Sequence, residues 1–191
     1  MKEYKYYDRV LELATLAHGD QKRKYSDDMY ITHPIAVAKI LDDTFEVPEE
    51  LIYAALLHDV IEDTTVTRSM LTIQLMMRFN DQKLAYRVVN LVTELTDVYT
   101  GEAYPGFNRR QRKLLEHDRI ARISDEAKLI KLADLIHNTK SIVEEDPSFA
   151  KVYLKEKDHM LKEMMDARKS DTFTSEFVQL YELAKHHNKV S

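Results

Sequence analysis

The stretch LIYAALLHDVIED, residues 51–63, decides the fold class of this 191-residue chain. Its first seven residues are almost all apolar, and the apolar residues at 51, 54 and 55 recur at the spacing of one helix face. Residues 49–100 contain neither Gly nor Pro, and the strict apolar–polar alternation of strands is nowhere sustained. The sequence therefore predicts an all-α protein in which most of the surface of this helix is buried.

The same periodicity continues along the chain and predicts about eight helices. Their expected ranges are 4–18, 34–42, 49–61, 68–78, 81–93, 108–121, 125–143 and 148–188, the last broken near Asp171. Ser124 is the expected N-cap of one of them. Because a domain has roughly 150 residues and no linker interrupts the chain, we expect one compact domain over 1–191. Its core would cover about 4–165, followed by a C-terminal helical extension at about 171–188.

The composition excludes several kinds of site and partner. No cysteine is present, which excludes disulfides, zinc–thiolate sites and cysteine nucleophiles. The 28 Lys and Arg residues against 33 Asp and Glu residues give a net charge of −5, which argues against general nucleic-acid binding and against acidic membranes as partners. Since no apolar stretch is long enough for a membrane span and the first residues do not resemble a signal peptide, we expect a soluble, cytoplasmic protein.

Ionisable residues follow the apolar part of the stretch at 51–63. His58 and Glu62 are four residues apart, so they share a helix face, and Asp59 and Asp63 have the same spacing. Burying such groups without partners costs several kcal/mol each, and a divalent cation would offset that cost. The alternative is an ordinary helix end whose charges face water.

A second apolar helix, predicted within residues 127–142, is interrupted by Asp134. Asn138 and Ser141 lie four and seven residues further on, so the three polar side chains form a stripe along one helix face. A carboxylate in this apolar setting would bind a metal ion, or it would be paired with a cation such as Lys131.

His33 precedes Pro34 at the start of a predicted helix, where a lone histidine is more often an ordinary residue near the N-cap. Together with His58, Asp59 and Asp134 it would supply two nitrogen and two oxygen ligands from distant parts of the chain. That mixture, without thiolates, suits Mn²⁺, Fe²⁺ or Zn²⁺ better than Ca²⁺.

Two basic runs, QKRK at 21–24 and NRRQRK at 108–113, stand out in an acidic chain. They indicate a phosphate-rich small molecule, because Lys and Arg bind phosphate oxygens. The alternative for either run is an ordinary solvated face. The other histidines are interpreted as non-catalytic, and they are His18, His117, His137, His159, His186 and His187.

Four blocks of the sequence carry a resemblance to a known family. They are AHGDQKRK at 17–24, YITHPIAVA at 30–38, AALLHDVIEDT at 54–64 and KLADLIHN at 131–138. In this order and spacing they resemble the HD-type hydrolase domain of the RelA/SpoT-homologue family, over about residues 11–161. The resemblance implies an all-helical HD domain of the stand-alone small alarmone hydrolase type.

The resemblance also implies a role for each matched site residue. One Mn²⁺ ion, or another divalent transition metal, would be bound by His33, His58, Asp59 and Asp134. The acids that activate water would be Glu62 and Asp63. The residues that bind substrate would be Arg23, Lys24, Asn138 and Ser141. To these, the second basic run adds Arg109 and Arg112, which would neutralise charge on the departing pyrophosphate.

The implied reaction removes the 3′-diphosphate of guanosine tetra- or pentaphosphate (ppGpp or pppGpp), giving GDP or GTP and pyrophosphate. Inactive relatives tend to lack the His-Asp or Glu-Asp pair, and both pairs are present here. The loop at 25–30 departs from the family pattern because it contains neither Gly nor Pro. This departure keeps open an HD phosphohydrolase acting on another nucleotide such as NADPH. A catalytically silent alarmone-binding module is a further alternative, against which the two intact pairs speak. A homo-oligomer is compatible with the sequence.

Overall fold

A computed structural model describes residues 3–168 and 173–186. These residues form ten helices and no strand, which confirms the all-α prediction. The helices are α1 (Tyr7–His18), α2 (Thr32–Thr44), α3 (Glu49–Leu57), α4 (Val60–Asp63), α5 (Arg68–Arg78), α6 (Gln82–Leu95), α7 (Arg109–Ile120), α8 (Asp125–Glu145), α9 (Pro147–Asp166) and α10 (Thr174–His186).

One predicted helix is divided in the structure where the sequence predicts no break. The single helix expected at 49–61 is wrong, because α3 ends at Leu57 and α4 begins at Val60. At that break the His58 ring places Nδ1 2.9 Å from the Ala55 carbonyl oxygen, so a side chain competes for an acceptor in the last turn of α3. The range 148–188 is divided between α9 and α10, and the break expected near Asp171 lies outside the described residues.

The chain divides into two compact units, residues 1–96 and residues 97–191. We call them the first and the second unit. The first contains α1 to α6 and the second contains α7 to α10. The expectation of a single domain over the whole chain stays a prediction.

The first unit is built around α3. Every residue from Leu51 to Leu57 is fully buried, and the helix packs against α1, α2 and α6. Each buried Leu or Ile side chain contributes about 1.5–3 kcal/mol, so α3 is a rigid support. The turn that carries His58 and Asp59 follows directly from this core.

The second unit is built around α8, which packs against α9 and α10, while α7 packs against α9. The Ser124 hydroxyl oxygen accepts a hydrogen bond from the amide of Ala127 (3.3 Å), which confirms the predicted N-cap. Most of the residues from Ala127 to Leu135 are buried, including Asp134. In the described residues, no helix combines the length and hydropathy needed to cross a lipid bilayer.

Candidate active site

The first unit brings together three of the predicted metal ligands. His33 is the second residue of α2, while His58 and Asp59 form the turn between α3 and α4. The Nε2 atoms of His33 and His58 lie 3.5 Å and 3.0 Å from the same Asp59 oxygen, Oδ2. One ligand atom from each residue therefore lies within 4.8 Å of the others.

The chemistry of this triad suits a divalent metal ion. Nδ1 of His58 contacts the carbonyl oxygen of Ala55, and a carbonyl oxygen can only accept a hydrogen bond. In a neutral His58 ring the hydrogen therefore lies on Nδ1, and the lone pair of Nε2 is available to a metal ion. The side chains of His33 and His58 are 1% and 3% exposed, and that of Asp59 is 18% exposed. Two imidazole nitrogens and a carboxylate oxygen in such a sheltered place form a donor set typical of transition metals.

Tyr30 joins the triad to the acidic end of α4, a role that the sequence motifs did not reveal. Its hydroxyl oxygen lies 2.6 Å from Asp59 Oδ2 and 2.8 Å from Asp63 Oδ2. A phenol has one hydrogen, so Tyr30 donates to only one of two ionised carboxylates at a time. Burial and the nearby Asp59 carboxylate raise the pKa of Tyr30, so it stays a hydrogen-bond donor. The only indication of this role in the sequence is the position of Tyr30 at the start of the block YITHPIAVA.

The two acids of α4 lie beside the triad. The amide of Asp63 donates to the backbone carbonyl of Asp59 (2.8 Å), so the helical spacing predicted for this pair is present in α4. Desolvation and, second, the charge of Asp59 raise the pKa of the Asp63 carboxyl group, while the Tyr30 hydrogen bond opposes that rise. Glu62 and Asp63 are exposed whereas His58 is buried, so only part of this cluster faces water.

The first basic run places one cation close to the triad. The guanidinium group of Arg23 lies over the Tyr30 ring, 5.6 Å from its centroid. The Lys24 ammonium group donates to the hydroxyl of the neighbouring Tyr25 (2.8 Å). Arg23 is therefore held against a residue that contacts Asp59, whereas Lys24 is exposed and held by its neighbour.

Asp134 lies in the buried part of α8 in the second unit. Its side chain accepts hydrogen bonds from Lys131 (2.9 Å) and Asn138 (2.6 Å). The shared face of Asp134 and Asn138 is thus confirmed, and the pairing with Lys131 weighed from the sequence is also present. Ser141 is partly buried two turns further along the same helix.

Two arginines of the second basic run, Arg109 and Arg112, have partners within the second unit. Arg109 makes two hydrogen bonds to the Glu156 carboxylate, at 3.1 Å and 2.9 Å. Arg112 donates to the backbone carbonyl of Phe107, in the loop before α7. Their role in binding substrate stays a prediction.

Lys157 is a further ionisable residue that sequence reasoning missed. It is 1% exposed on α9, and its ammonium group donates to the Thr139 hydroxyl on α8 (2.7 Å). Burial lowers the pKa of Lys157 to about 8. In the sequence it resembles any lysine of an amphipathic helix.

Comparison with known proteins identifies the family. A family model described as an HD domain matches residues 10–171. The chain belongs to the HD domain family. The matched range contains the His58–Asp59 pair and all four motif blocks, and the predicted relationship to RelA/SpoT-homologue hydrolases is confirmed by the relatives described next.

Several curated proteins are similar in sequence to this HD domain chain. Guanosine-3′,5′-bis(diphosphate) 3′-pyrophosphohydrolase MESH1 of Xenopus tropicalis is 33% identical over 138 residues, which are 70% of this chain and 69% of that protein. The Homo sapiens protein of the same name is 34% identical over 139 residues, with the same coverage. The GTP pyrophosphokinase rsh of Brucella ovis is 38% identical over 132 residues, but the match spans only 15% of its length.

Solved structures share the fold of this HD domain chain. One, described as a metazoan ortholog of SpoT that hydrolyzes ppGpp and plays a role in starvation responses, has a TM-score of 0.74 at 24% identity and covers 97% of both chains. The lmo0812 protein of Listeria monocytogenes has a TM-score of 0.59 at 23% identity, over 87% of this chain and 99% of its own. At these identities the likeness establishes the all-helical fold alone.

Proposed function

We propose that this HD domain protein removes the 3′-diphosphate of guanosine tetra- or pentaphosphate and releases GDP or GTP and pyrophosphate. The observation that carries the proposal is the triad of His33, His58 and Asp59, whose two imidazoles are buried, with the acids of α4 beside it. The names of the MESH1 relatives, which match about 70% of this chain, support the choice of substrate.

We propose one divalent metal ion as the cofactor, with Mn²⁺ as the ion. His33, His58 and Asp59 would hold it, and the family resemblance supports Asp134 as a fourth ligand. When bound, a divalent ion lowers the pKa of a water molecule and polarises a phosphate oxygen. Fe²⁺ and Zn²⁺ suit the same nitrogen and oxygen donors.

The acids of α4 would move the proton of the attacking water. A carboxylate oxygen of Glu62 takes that proton while the water oxygen bonds to the phosphorus attached to O3′ of the substrate. The bond between that phosphorus and O3′ breaks, and O3′ takes a proton from the acids of α4, so GDP or GTP and pyrophosphate are released. Asp63, whose raised pKa brings it closer to neutral pH, is the second acid able to hold a proton there. Tyr30 orients Asp59 and Asp63 through its hydroxyl group.

The basic residues would neutralise the substrate's phosphates. Arg23 is supported by its position over Tyr30, next to the triad, and Lys24 follows it in the chain. The family motif and the second basic run support further contacts from the second unit, by Arg109, Arg112, Asn138 and Ser141. Fixed cations of this kind stabilise the charge that develops on the departing pyrophosphate.

The site of action and the partners follow from this substrate. We propose that the protein acts in the cytoplasm on a soluble guanine nucleotide, without general nucleic-acid or membrane binding. The acidic net charge of −5 supports this choice. A homo-oligomer is compatible with the proposal. Sedimentation of the purified protein measures its oligomeric state.

A parallel assay tests the proposed reaction. We expect pyrophosphate release from guanosine tetraphosphate with Mn²⁺, at a kcat/KM at least about tenfold above that for phosphate release from NADPH. The reverse preference would replace the proposed substrate by NADPH. Tight nucleotide binding without any product would indicate a catalytically silent binding module instead.

Tyr30→Phe tests whether the phenol hydroxyl supports the metal site. The change removes the contacts to Asp59 and Asp63 and keeps the ring that lies beside Arg23. Because groups that orient metal ligands usually contribute 10–100-fold in affinity, we expect the Mn²⁺ dissociation constant to rise about tenfold or more. Titration calorimetry measures it.

Tyr25→Phe is the matched control, since the same change there removes a hydroxyl group that accepts a hydrogen bond from Lys24 in the first basic run. Equal affinities in the two variants contradict the role of Tyr30.

A further inference from the structure

A groove between α7 and α9 in the second unit carries a concentration of positive charge. Its volume is about 590 Å³, within the size range of small-molecule sites. Its basic lining residues, two on each helix, are Arg110, Lys113, Lys151 and Lys155. They contrast with a chain whose net charge is −5.

Each helix presents its basic residues to the groove on one face. Arg110 and Lys113 are three residues apart on α7, and Lys151 and Lys155 are four apart on α9. Like charges at these spacings repel each other and destabilise a helix by a few tenths of a kcal/mol. An anion bound in the groove would convert that repulsion into attraction.

Little acidic charge compensates these cations. Glu156, the acidic residue of the lining, is held by the two hydrogen bonds from Arg109. Lys113 is paired with Asp97 at 3.1 Å. In the parts of the chain that the structure describes, no hydrogen bond or ion pair engages Arg110, Lys151 or Lys155. The groove therefore keeps a net positive charge.

The remaining lining combines a buried polar atom with apolar side chains. His117 is 3% exposed, and its Nδ1 atom is buried without a hydrogen-bond partner. Burial lowers the pKa of His117 to about 4, so the ring is neutral near pH 7 and offers one donor and one acceptor. Leu114 and Val152 also line the groove, although they are 45% and 48% exposed.

This lining matches one class of ligand. Flexible lysines and an arginine recognise phosphate oxygens, and the exposed Leu114 and Val152 offer contact to an apolar or aromatic group. His117 supplies a polar partner that a purely ionic surface lacks. A single small molecule that joins several phosphates to an organic body satisfies all three features, and a groove of this volume suits it better than a polymer.

We propose that the groove between α7 and α9 is a second ligand site, which binds a small organic polyphosphate of the nucleoside polyphosphate class. None of its lining residues belongs to the proposed metal triad, and the proposal stands whether or not the protein hydrolyses guanosine tetraphosphate. The proposal concerns binding, for which the groove provides cations and the neutral imidazole of His117.

ATP is the probe, because it carries three phosphates and lacks the 3′-diphosphate of the proposed substrate. Titration calorimetry of the full chain with EDTA, so that metal plays no part, should detect ATP binding. We expect Lys151→Gln/Lys155→Gln to weaken it at least about tenfold, since two phosphate partners are lost. The control Lys39→Gln/Lys83→Gln removes the same charge from exposed positions of the first unit and should leave the affinity unchanged.

Two further results decide where ATP binds. Asp59→Ala should keep the wild-type ATP affinity, because Asp59 is not part of the groove. The groove proposal is overturned if wild-type protein does not bind ATP at millimolar concentration, if both lysine pairs have equal effects, or if Asp59→Ala alone abolishes binding. Since Lys151 and Lys155 are exposed, their removal should leave the circular dichroism spectrum and melting temperature unchanged.

Discussion

Asp59→Ala is expected to abolish Mn²⁺ binding and to lower the rate of guanosine tetraphosphate hydrolysis by about 1000-fold or more. The reason is geometric, since one oxygen of Asp59 lies 3.5 Å from Nε2 of His33 and 3.0 Å from Nε2 of His58. Without that oxygen, the triad keeps only its two imidazoles, and these attract a divalent cation less strongly than a carboxylate does. Titration calorimetry with Mn²⁺ and a pyrophosphate-release assay measure the two effects.

The matched control for this prediction is Asp43→Ala. Asp43 is an exposed aspartate of α2 that pairs with Lys39. Its replacement removes one negative charge from the first unit, as Asp59→Ala does, but outside the four motif blocks. We expect wild-type metal affinity and turnover in the control. Turnover at the wild-type rate in Asp59→Ala would show that the metal site has been assigned to the wrong residues.

Glu62→Gln is expected to keep the metal and to lose turnover. The amide has nearly the same shape as the carboxylate but accepts no proton from water, so kcat should fall by about 100- to 10,000-fold, the range of a general base. The Mn²⁺ affinity should change by less than about threefold, because Glu62 is not part of the triad formed by His33, His58 and Asp59. Parallel measurements of kcat and of the Mn²⁺ dissociation constant separate the two roles.

A matched control and a clear contrary result exist for Glu62 as well. Glu102→Gln changes the same side chain on an exposed residue of the loop before α7 and should leave kcat unchanged. If Glu62→Gln loses Mn²⁺ as completely as Asp59→Ala, then Glu62 is a metal ligand and not the base. If kcat stays at the wild-type value, another group takes the proton, and Asp63→Asn becomes the next variant to measure.

Local signals explain which helices the sequence predicts well. The range 68–78 matches α5, and 108–121 and 125–143 differ from α7 and α8 by two residues or fewer at each end. Each of these helices begins at a side chain that caps it, namely Thr67, Asn108 and Ser124. A capping residue and the helical spacing of apolar residues lie within a few positions of each other in the sequence. Both can therefore be recognised without knowledge of the fold.

The break within 49–61 was not predictable in the same way. The apolar period runs through Val60 and Ile61, and neither Gly nor Pro marks an end. The helix ends where the His58 side chain meets the Ala55 carbonyl and where His58 and Asp59 face His33. These contacts join α2 to the α3–α4 turn, so they depend on packing and not on local preference.

The sequence by itself determined that this protein is helical, that it is an HD domain, and which histidines and acids stand in the positions of the family motif. These properties depend on residue type and spacing along the chain. The tertiary structure alone decided that two imidazoles share one oxygen of Asp59, and that Tyr30 joins this oxygen to Asp63. It also decided that cations from two helices line one groove. The physical reason is that residues 26 positions apart, such as His33 and Asp59, or 45 positions apart, such as Arg110 and Lys155, meet only when their helices pack. No local pattern encodes that distance.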